Sequence, residues 1–139
     1  QLSLTPVDCG DGCKTPGIYY EQRDGSWECA PWTADRHDAA LVLYDHDKLL
    51  GNVDLVLGGF SSRATRLLGN HLEQMVDHLF PASFETDHRA VGAFVIRFEV
   101  PPRTAGEAEQ PGAPLRCEKE PTVIRLDERV IRRRLGGRR

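Results

Sequence analysis

One stretch of helical periodicity, with strand patterns on both sides of it, constrains the fold of this chain more than any other feature. Six apolar residues recur at the spacing of a single helical face, namely Ala64, Leu68, Leu72, Met75, Val76 and Leu79. Ser61 or Ser62 can cap this helix at its start, and Pro81 ends it because proline cannot continue the helical hydrogen bonding. The sequence therefore predicts one amphipathic helix that packs against a sheet.

The segments around the helix carry strand patterns. Residues 39–44 are nearly all apolar, as in a strand that is buried on both faces, and Val53, Leu55 and Leu57 then alternate as a second strand. After the helix, residues 91–100 form the clearest strand, and residues 122–126 can supply another. The order strand, strand, helix, strand, strand predicts an α+β protein with four to five strands and one main helix.

We expect three regions along the chain. Residues 1–38 are rich in turns, and Asp24 and Gly25 between two aromatic-bearing runs indicate a short hairpin there. Residues 39–127 contain the helix and the main strands and form the predicted core. Residues 128–139 form a basic tail.

Charge is distributed unevenly along the chain. The net charge is −3, yet residues 1–110 carry 9 basic and 17 acidic side chains, and residues 111–139 carry 9 basic and 4 acidic ones. An acidic body with a basic tail indicates that the tail meets an acidic partner.

The tail also contains a di-glycine motif. Arg132, Arg133 and Arg134 are followed by Leu135, Gly136 and Gly137, and Arg138 and Arg139 come after them. Two adjacent glycines remove side-chain bulk, so such a segment can thread a narrow enzyme channel. Arginines beside it can make bidentate contacts to acidic groups of a partner enzyme.

Residues 133–137, Arg-Arg-Leu-Gly-Gly, followed by a short tail, resemble the C-terminus of ubiquitin-like modifiers in their precursor form. The element order over residues 39–137 is also similar to the β-grasp fold of that family, in which one helix packs across a mixed sheet. The resemblance implies that a peptidase removes Arg138 and Arg139, and that an activating enzyme adenylates Gly137. Conjugating enzymes would then join the carboxyl group of Gly137 to a target amine. These enzymes would recognise the segment Arg132, Arg133, Arg134 and Leu135.

A second hypothesis uses the same arginines differently. The chain would be a structural or assembly protein, viral or part of a multiprotein complex, whose residues 129–139 bind an acidic protein or nucleic acid. Each arginine could neutralise one phosphate, which would make binding to nucleic acid strongly salt-dependent. Nucleic acid is the less favoured partner, because the body of the chain is acidic and the tail has no aromatic residue that could stack on bases. The helical spacing of Leu126, Val130, Ile131 and Leu135 leaves open whether residues 126–137 are helical or extended.

The cysteines admit a metal or a disulfide. Zinc would accept Cys9, Cys13 and Cys29, with His37 or Cys117 as the fourth ligand. A spacing of three residues between Cys9 and Cys13 matches zinc motifs weakly, and these two could instead form a disulfide. A structural zinc is therefore the one cofactor that the sequence suggests.

The sequence contains no nucleophile motif, phosphate loop or metalloprotease signature, so we expect a protein that is not an enzyme. No window approaches the ~20 apolar residues of a membrane span, and we expect a cytoplasmic location without a membrane partner.

Overall fold

The computed structural model describes residues 2–5, 15–101, 117 and 119–131. In chain order the elements are the strands β1 (Leu2–Ser3), β2 (Gly17–Glu21), β3 (Trp27–Pro31), β4 (His37–Asp47) and β5 (Asn52–Gly59), the helix α1 (Ser62–Met75), a 3₁₀ helix (Val76–Leu79), and the strands β6 (Phe84–Glu85), β7 (Arg89–Glu99) and β8 (Thr122–Arg125). Residues 128–131 form a further helical turn. The α+β class and the order of the main elements are thus as predicted.

The main sheet has five strands. Its order is β5, β4, β7 and β6, and β8 also pairs with β7. β4 and β7 pair over their whole length, from His37 opposite Glu99 to Asp47 opposite Arg89. Every strand pair in the described residues is antiparallel, which differs from the mixed sheet that the resemblance implied.

The path of the helix explains the antiparallel pairing. β5 ends beside Ala40, near the start of β4, and α1 begins three residues later. The helix then runs to the other end of the sheet, where the Tyr44 hydroxyl donates a hydrogen bond of 3.1 Å to the carbonyl of Leu79. β7 therefore enters the sheet where β4 ends, and it runs back antiparallel to β4.

The helix forms where the sequence predicts, but its α-helical part ends at Met75, Val76–Leu79 continue as the 3₁₀ helix, and Val76 is 44% exposed. Ser61 is its N-cap, and the Ser61 hydroxyl accepts a hydrogen bond of 3.2 Å from the backbone N–H of Ala64. Its apolar side packs on one face of the main sheet, the helix face, and the shared core consists of Ala40, Val42, Ala64, Leu67, Leu68, Met75, Leu79, Phe94, Ile96 and Phe98. Within the described part of the chain, no helix has both the length and the apolar character needed to cross a membrane.

A three-stranded sheet, in the order β1, β2 and β3, covers the opposite face of the main sheet. The predicted hairpin around Asp24 and Gly25 joins β2 to β3 and is confirmed. A second core lies between the two sheets and consists of Ile18, Tyr20, Ala30, Ala39, Ala93, Val95 and Leu126, with Ile131 packed against it. Val130 is also buried, so the chain is helical and anchored up to residue 131.

Candidate binding edge

β5 is an edge strand of the main sheet, and its exposed side chains are almost all apolar. Val53, Leu55 and Leu57 lie on the helix face with 57%, 55% and 42% of their surface exposed. Val56 points to the other face and is 54% exposed. Asp54 is the one charged residue in the strand. Edge strands in natural proteins usually carry charges or prolines that prevent pairing with another chain, and β5 largely lacks these protections.

The backbone of β5 shows which hydrogen-bonding groups point away from the sheet. The N–H of Phe60 donates to the carbonyl of Ala39 at 2.8 Å, so the even-numbered residues of this strand face β4. The odd-numbered residues Val53, Leu55, Leu57 and Gly59 therefore direct their N–H and C=O groups outward. The Thr65 hydroxyl accepts a hydrogen bond from the N–H of Gly59 at 3.2 Å. Three outward residues, 53, 55 and 57, are left for another strand.

An apolar groove runs beside this edge on the helix face. Its volume is about 270 Å³, and its lining consists of Val42, Tyr44, His46, Val53, Leu55, Leu57, Leu72, Val76, Leu79 and Phe80. Val76 and Phe80, on the far wall, are 44% and 64% exposed. A contiguous exposed apolar surface of this kind is more typical of a site of protein contact than of the ordinary surface of a monomer.

The floor of the groove is held in place by aromatic contacts. The Tyr44 ring stacks on Phe94 with centroids 6.1 Å apart and lies 5.9 Å from the Phe80 ring. Gly92 lies opposite Tyr44 in the sheet, and a Cβ at this glycine would be 2.1 Å from the Tyr44 ring. Glycine is therefore needed at position 92 for the ring to lie flat on the sheet. Burial raises the pKa of the Tyr44 hydroxyl.

A buried ion pair fixes the start of the helix that forms the groove wall. Asp38 is 1% exposed, and its Oδ2 accepts hydrogen bonds from Ser61 Oγ at 2.5 Å and Arg63 Nε at 2.9 Å. The Arg63 guanidinium also donates to the carbonyls of Thr33, Ala34 and His37. These bonds join the β3–β4 connection to the first turn of α1. Close approach at Gly59, where a Cβ would lie 2.2 Å from the Thr65 nitrogen, sets the position of the helix against β5.

A larger cavity of about 500 Å³ is polar and lies between the end of β2 and residues 124–128. Glu21, Arg23, Arg125, Asp127 and Glu128 supply charges of both signs to its lining. Its serine, at position 83, donates to the carbonyl of Ala93 and accepts from the N–H of the same residue, so the hydroxyl is committed to the backbone. The cavity has charged walls but no activated nucleophile among the described residues.

Tyr20 lies at the junction of the two sheets. Its hydroxyl donates to Glu28 Oε2 at 2.8 Å and accepts from Arg97 Nη2 at 2.9 Å. Burial, followed by the hydrogen bond to Glu28, raises the pKa of Tyr20 to about 12. Arg97 also donates to the carbonyl of Cys29 at 3.1 Å. This cluster ties the three-stranded sheet to β7 and has a structural role.

The structure describes two of the four predicted zinc ligands. Cys29 is partly buried in β3, and His37 begins β4 with its backbone N–H bonded to Thr33 Oγ1. The alternative ligand Cys117 packs against the helix-face core, so the main sheet separates it from Cys29. Burial raises the pKa of the Cys117 thiol to about 11, which disfavours the thiolate that zinc binds.

Cys9 and Cys13 lie outside the described residues, so the zinc site stays a prediction. The described ranges contain no group of three or more His, Cys, Asp or Glu side chains able to hold a metal. The two aspartates at the end of β4 are engaged otherwise, since Asp45 pairs with Arg89 and Asp47 accepts from the N–H groups of Leu49 and Leu50.

The predicted tail motif also lies outside the described residues, which end at residue 131. This applies to Arg132, Arg133, Arg134, Leu135, Gly136, Gly137 and Arg138. The alternation of Val53, Leu55 and Leu57 predicted this strand but not its exposure. The groove was missed, although Val76 already stood in the apolar stripe of the helix. Comparison with protein-family models, curated proteins and solved structures gave no match.

Proposed function

We propose that this chain is an assembly protein that binds an extended protein segment along β5. The observation that carries the proposal is the coincidence of three outward-facing backbone positions, residues 53, 55 and 57, with the apolar groove beside them. An added strand gains backbone hydrogen bonds at the edge and places alternate side chains in the groove. Because the groove lining is almost entirely apolar, the segment should carry apolar residues at alternate positions.

The direct test is a photo-crosslinking residue introduced in place of Val76, on the groove wall. Asn70 is the matched control, because it is exposed on α1, which leads directly into the 3₁₀ helix of Val76, and it does not line the groove. We expect position 76 to crosslink at least several-fold more than position 70, and we expect mass spectrometry to locate the bond on a segment with alternating apolar residues. Equal yields at both positions, or adducts spread over unrelated surfaces, would contradict the proposal.

The arginine-rich tail would add a second, electrostatic contact to an acidic protein or nucleic acid. Val130 is buried and Ile131 packs against the second core, so a truncation that tests the tail should remove residues 132–139 and keep residue 131. Loss of the tail should weaken partner binding more at low salt than at high salt, because exposed charges are screened. A salt-independent effect would indicate that the arginines do not contact the partner.

A ubiquitin-like modifier is the second candidate, and the motif Leu135, Gly136 and Gly137 favours it. It requires a β-grasp core, for which the hairpin, the helix and the following strands supply the element order, while the antiparallel pairing of β4 with β7 departs from a mixed sheet. Intact mass after co-expression with the genomic neighbours is the test. Loss of Arg138 and Arg139 with an adduct through Gly137 would support the modifier, and persistence of both arginines without an adduct would contradict it.

A further inference from the structure

The geometry of β5 points to a second copy of this chain as the segment that pairs with it. We infer a two-fold dimer in which two β5 strands pair antiparallel at Leu55 and join the main sheets into one continuous sheet. This inference rests on the proposed function, because it identifies the partner of the same edge.

The outward-facing backbone groups select the register. They belong to Val53, Leu55 and Leu57, which are symmetric about Leu55, while the N–H of Gly59 is already bonded to Thr65. When Leu55 lies opposite Leu55 of the second copy, residue 53 lies opposite residue 57 on both sides. All three outward residues are then paired, and each pair exchanges two backbone hydrogen bonds. A shift of two residues in either direction would leave one of the three without a partner from this set.

The side chains agree with the same register. Val53, Leu55 and Leu57 all lie on the helix face, so each meets an apolar residue of the second copy there. On the other face Asp54 lies opposite Val56, so the two Asp54 carboxylates do not face each other directly. Apolar cross-strand pairs stabilise a sheet, and like charges directly opposite would destabilise it.

The exposed surface fits a weak dimer. The side chains of β5 together with Val76 and Phe80 present on the order of 500 Å² of apolar surface, near the upper end for a monomer. A stable interface of standard size buries about 800 Å² from each partner. We therefore expect a dissociation constant on the order of micromolar, so that the fraction of dimer rises with protein concentration in the micromolar range.

Residue 55 lies on the symmetry axis, which allows a decisive test by sedimentation velocity across a concentration series. Leu55→Asp and Leu55→Lys each place two like charges opposite one another, and each should weaken dimerisation by about 100-fold or more. An equimolar mixture of the two variants should recover heterodimers, with an affinity within about 10-fold of the wild type. Leu4→Asp is the matched control, since Leu4 is 58% exposed but lies outside the main sheet, and its dimer should be unchanged.

Each other outcome overturns the inference in a recognisable way. A wild-type chain that stays monomeric at all concentrations would exclude the dimer, while specific crosslinking from position 76 to another protein would leave the proposed function standing. A dimer that persists in Leu55→Asp would place the contact elsewhere. Monomeric single variants that form no heterodimer when mixed would exclude the register at Leu55. Circular dichroism spectra confirm that each variant is folded before these results are read.

Discussion

Replacement of Gly92 by alanine tests how closely the structure packs beneath the apolar groove. The added Cβ would lie 2.1 Å from Cε1 and 2.3 Å from Cζ of Tyr44, well inside van der Waals contact. The ring cannot move aside freely, because its hydroxyl is bonded to the Leu79 carbonyl and its face stacks on Phe94. Overpacking costs about 1–3 kcal/mol, and loss of the hydrogen bond adds about 1 kcal/mol.

We therefore expect Gly92→Ala to lower the free energy of unfolding by about 2–4 kcal/mol, measured by urea denaturation. In a chain of this size the melting temperature should fall by roughly 10 °C. Gly58→Ala is the matched control, since it is the same change in another strand of the same sheet, β5, and nothing lies within 4 Å of its added Cβ. The control should change stability by less than about 0.5 kcal/mol.

A double-mutant cycle isolates the cause. If the clash with the ring is responsible, Gly92→Ala should cost less than about 1 kcal/mol in a Tyr44→Ala background, where the ring is absent. A cost that is equal in both backgrounds would show that the backbone at position 92, and not the ring, requires glycine. A wild-type cost below about 0.5 kcal/mol would show that Tyr44 moves aside freely, and it would refute the argument.

Two further predictions concern the buried ion pair and the junction of the sheets. Arg63→Ala should lower the free energy of unfolding by about 3–5 kcal/mol, because it leaves the buried Asp38 carboxylate without its cation, whereas Arg66→Ala on the exposed side of the same helix should be nearly neutral. Tyr20 has a folded-state pKa near 12, above its usual value of 10.0, so the protonated hydroxyl is favoured by folding. Its contribution to the free energy of unfolding is therefore complete below pH 10 and is lost as the pH rises toward 12. Between about pH 9.5 and pH 11.5 the free energy of unfolding, measured by urea denaturation, should fall by about 1–2 kcal/mol more in the wild type than in Tyr20→Phe, after allowance for solvent screening at the hydroxyl. Identical dependences of the unfolding free energy on pH in the two proteins would contradict this.

The helix and the main strands could be predicted because their signals are local. Ser61 as the cap and the apolar stripe from Ala64 to Leu79 specify α1 without any knowledge of its surroundings. The alternation in residues 91–100 similarly specifies β7. Such patterns show which face of an element is apolar, and in these elements most of that face is buried, with Val76 as the exposed exception.

The exposed edge at β5 could not be predicted, because the exposure of a side chain depends on contacts between distant parts of the chain. Val53, Leu55 and Leu57 have the pattern of a strand with one buried face, yet they stay 57%, 55% and 42% exposed on the face where α1 packs. The position of α1 depends on its close approach to Gly59 and on the bonds between Arg63 and Asp38, which lie 25 residues apart. A glycine inside a strand pattern often marks a close approach, and at Gly92 it does. The sequence gives no sign that the partner of this glycine is Tyr44.

Gly92 also connects stability with the proposed dimer. Tyr44 lies opposite Leu55 in the β4–β5 pair, so the ring that rests on Gly92 supports the side chain at the symmetry axis. Gly92→Ala should weaken dimerisation by about 10-fold, because the displaced ring disturbs the groove floor beneath Leu55. The loss should be no larger, since the outward N–H and C=O groups of β5 remain available for pairing. Tyr44→Phe keeps the ring and loses only the bond to Leu79, so its dimer affinity should fall by less than about 3-fold. Sedimentation at matched folded fractions separates the two effects, and equal losses in both variants would show that the hydroxyl, and not the ring position, supports the edge.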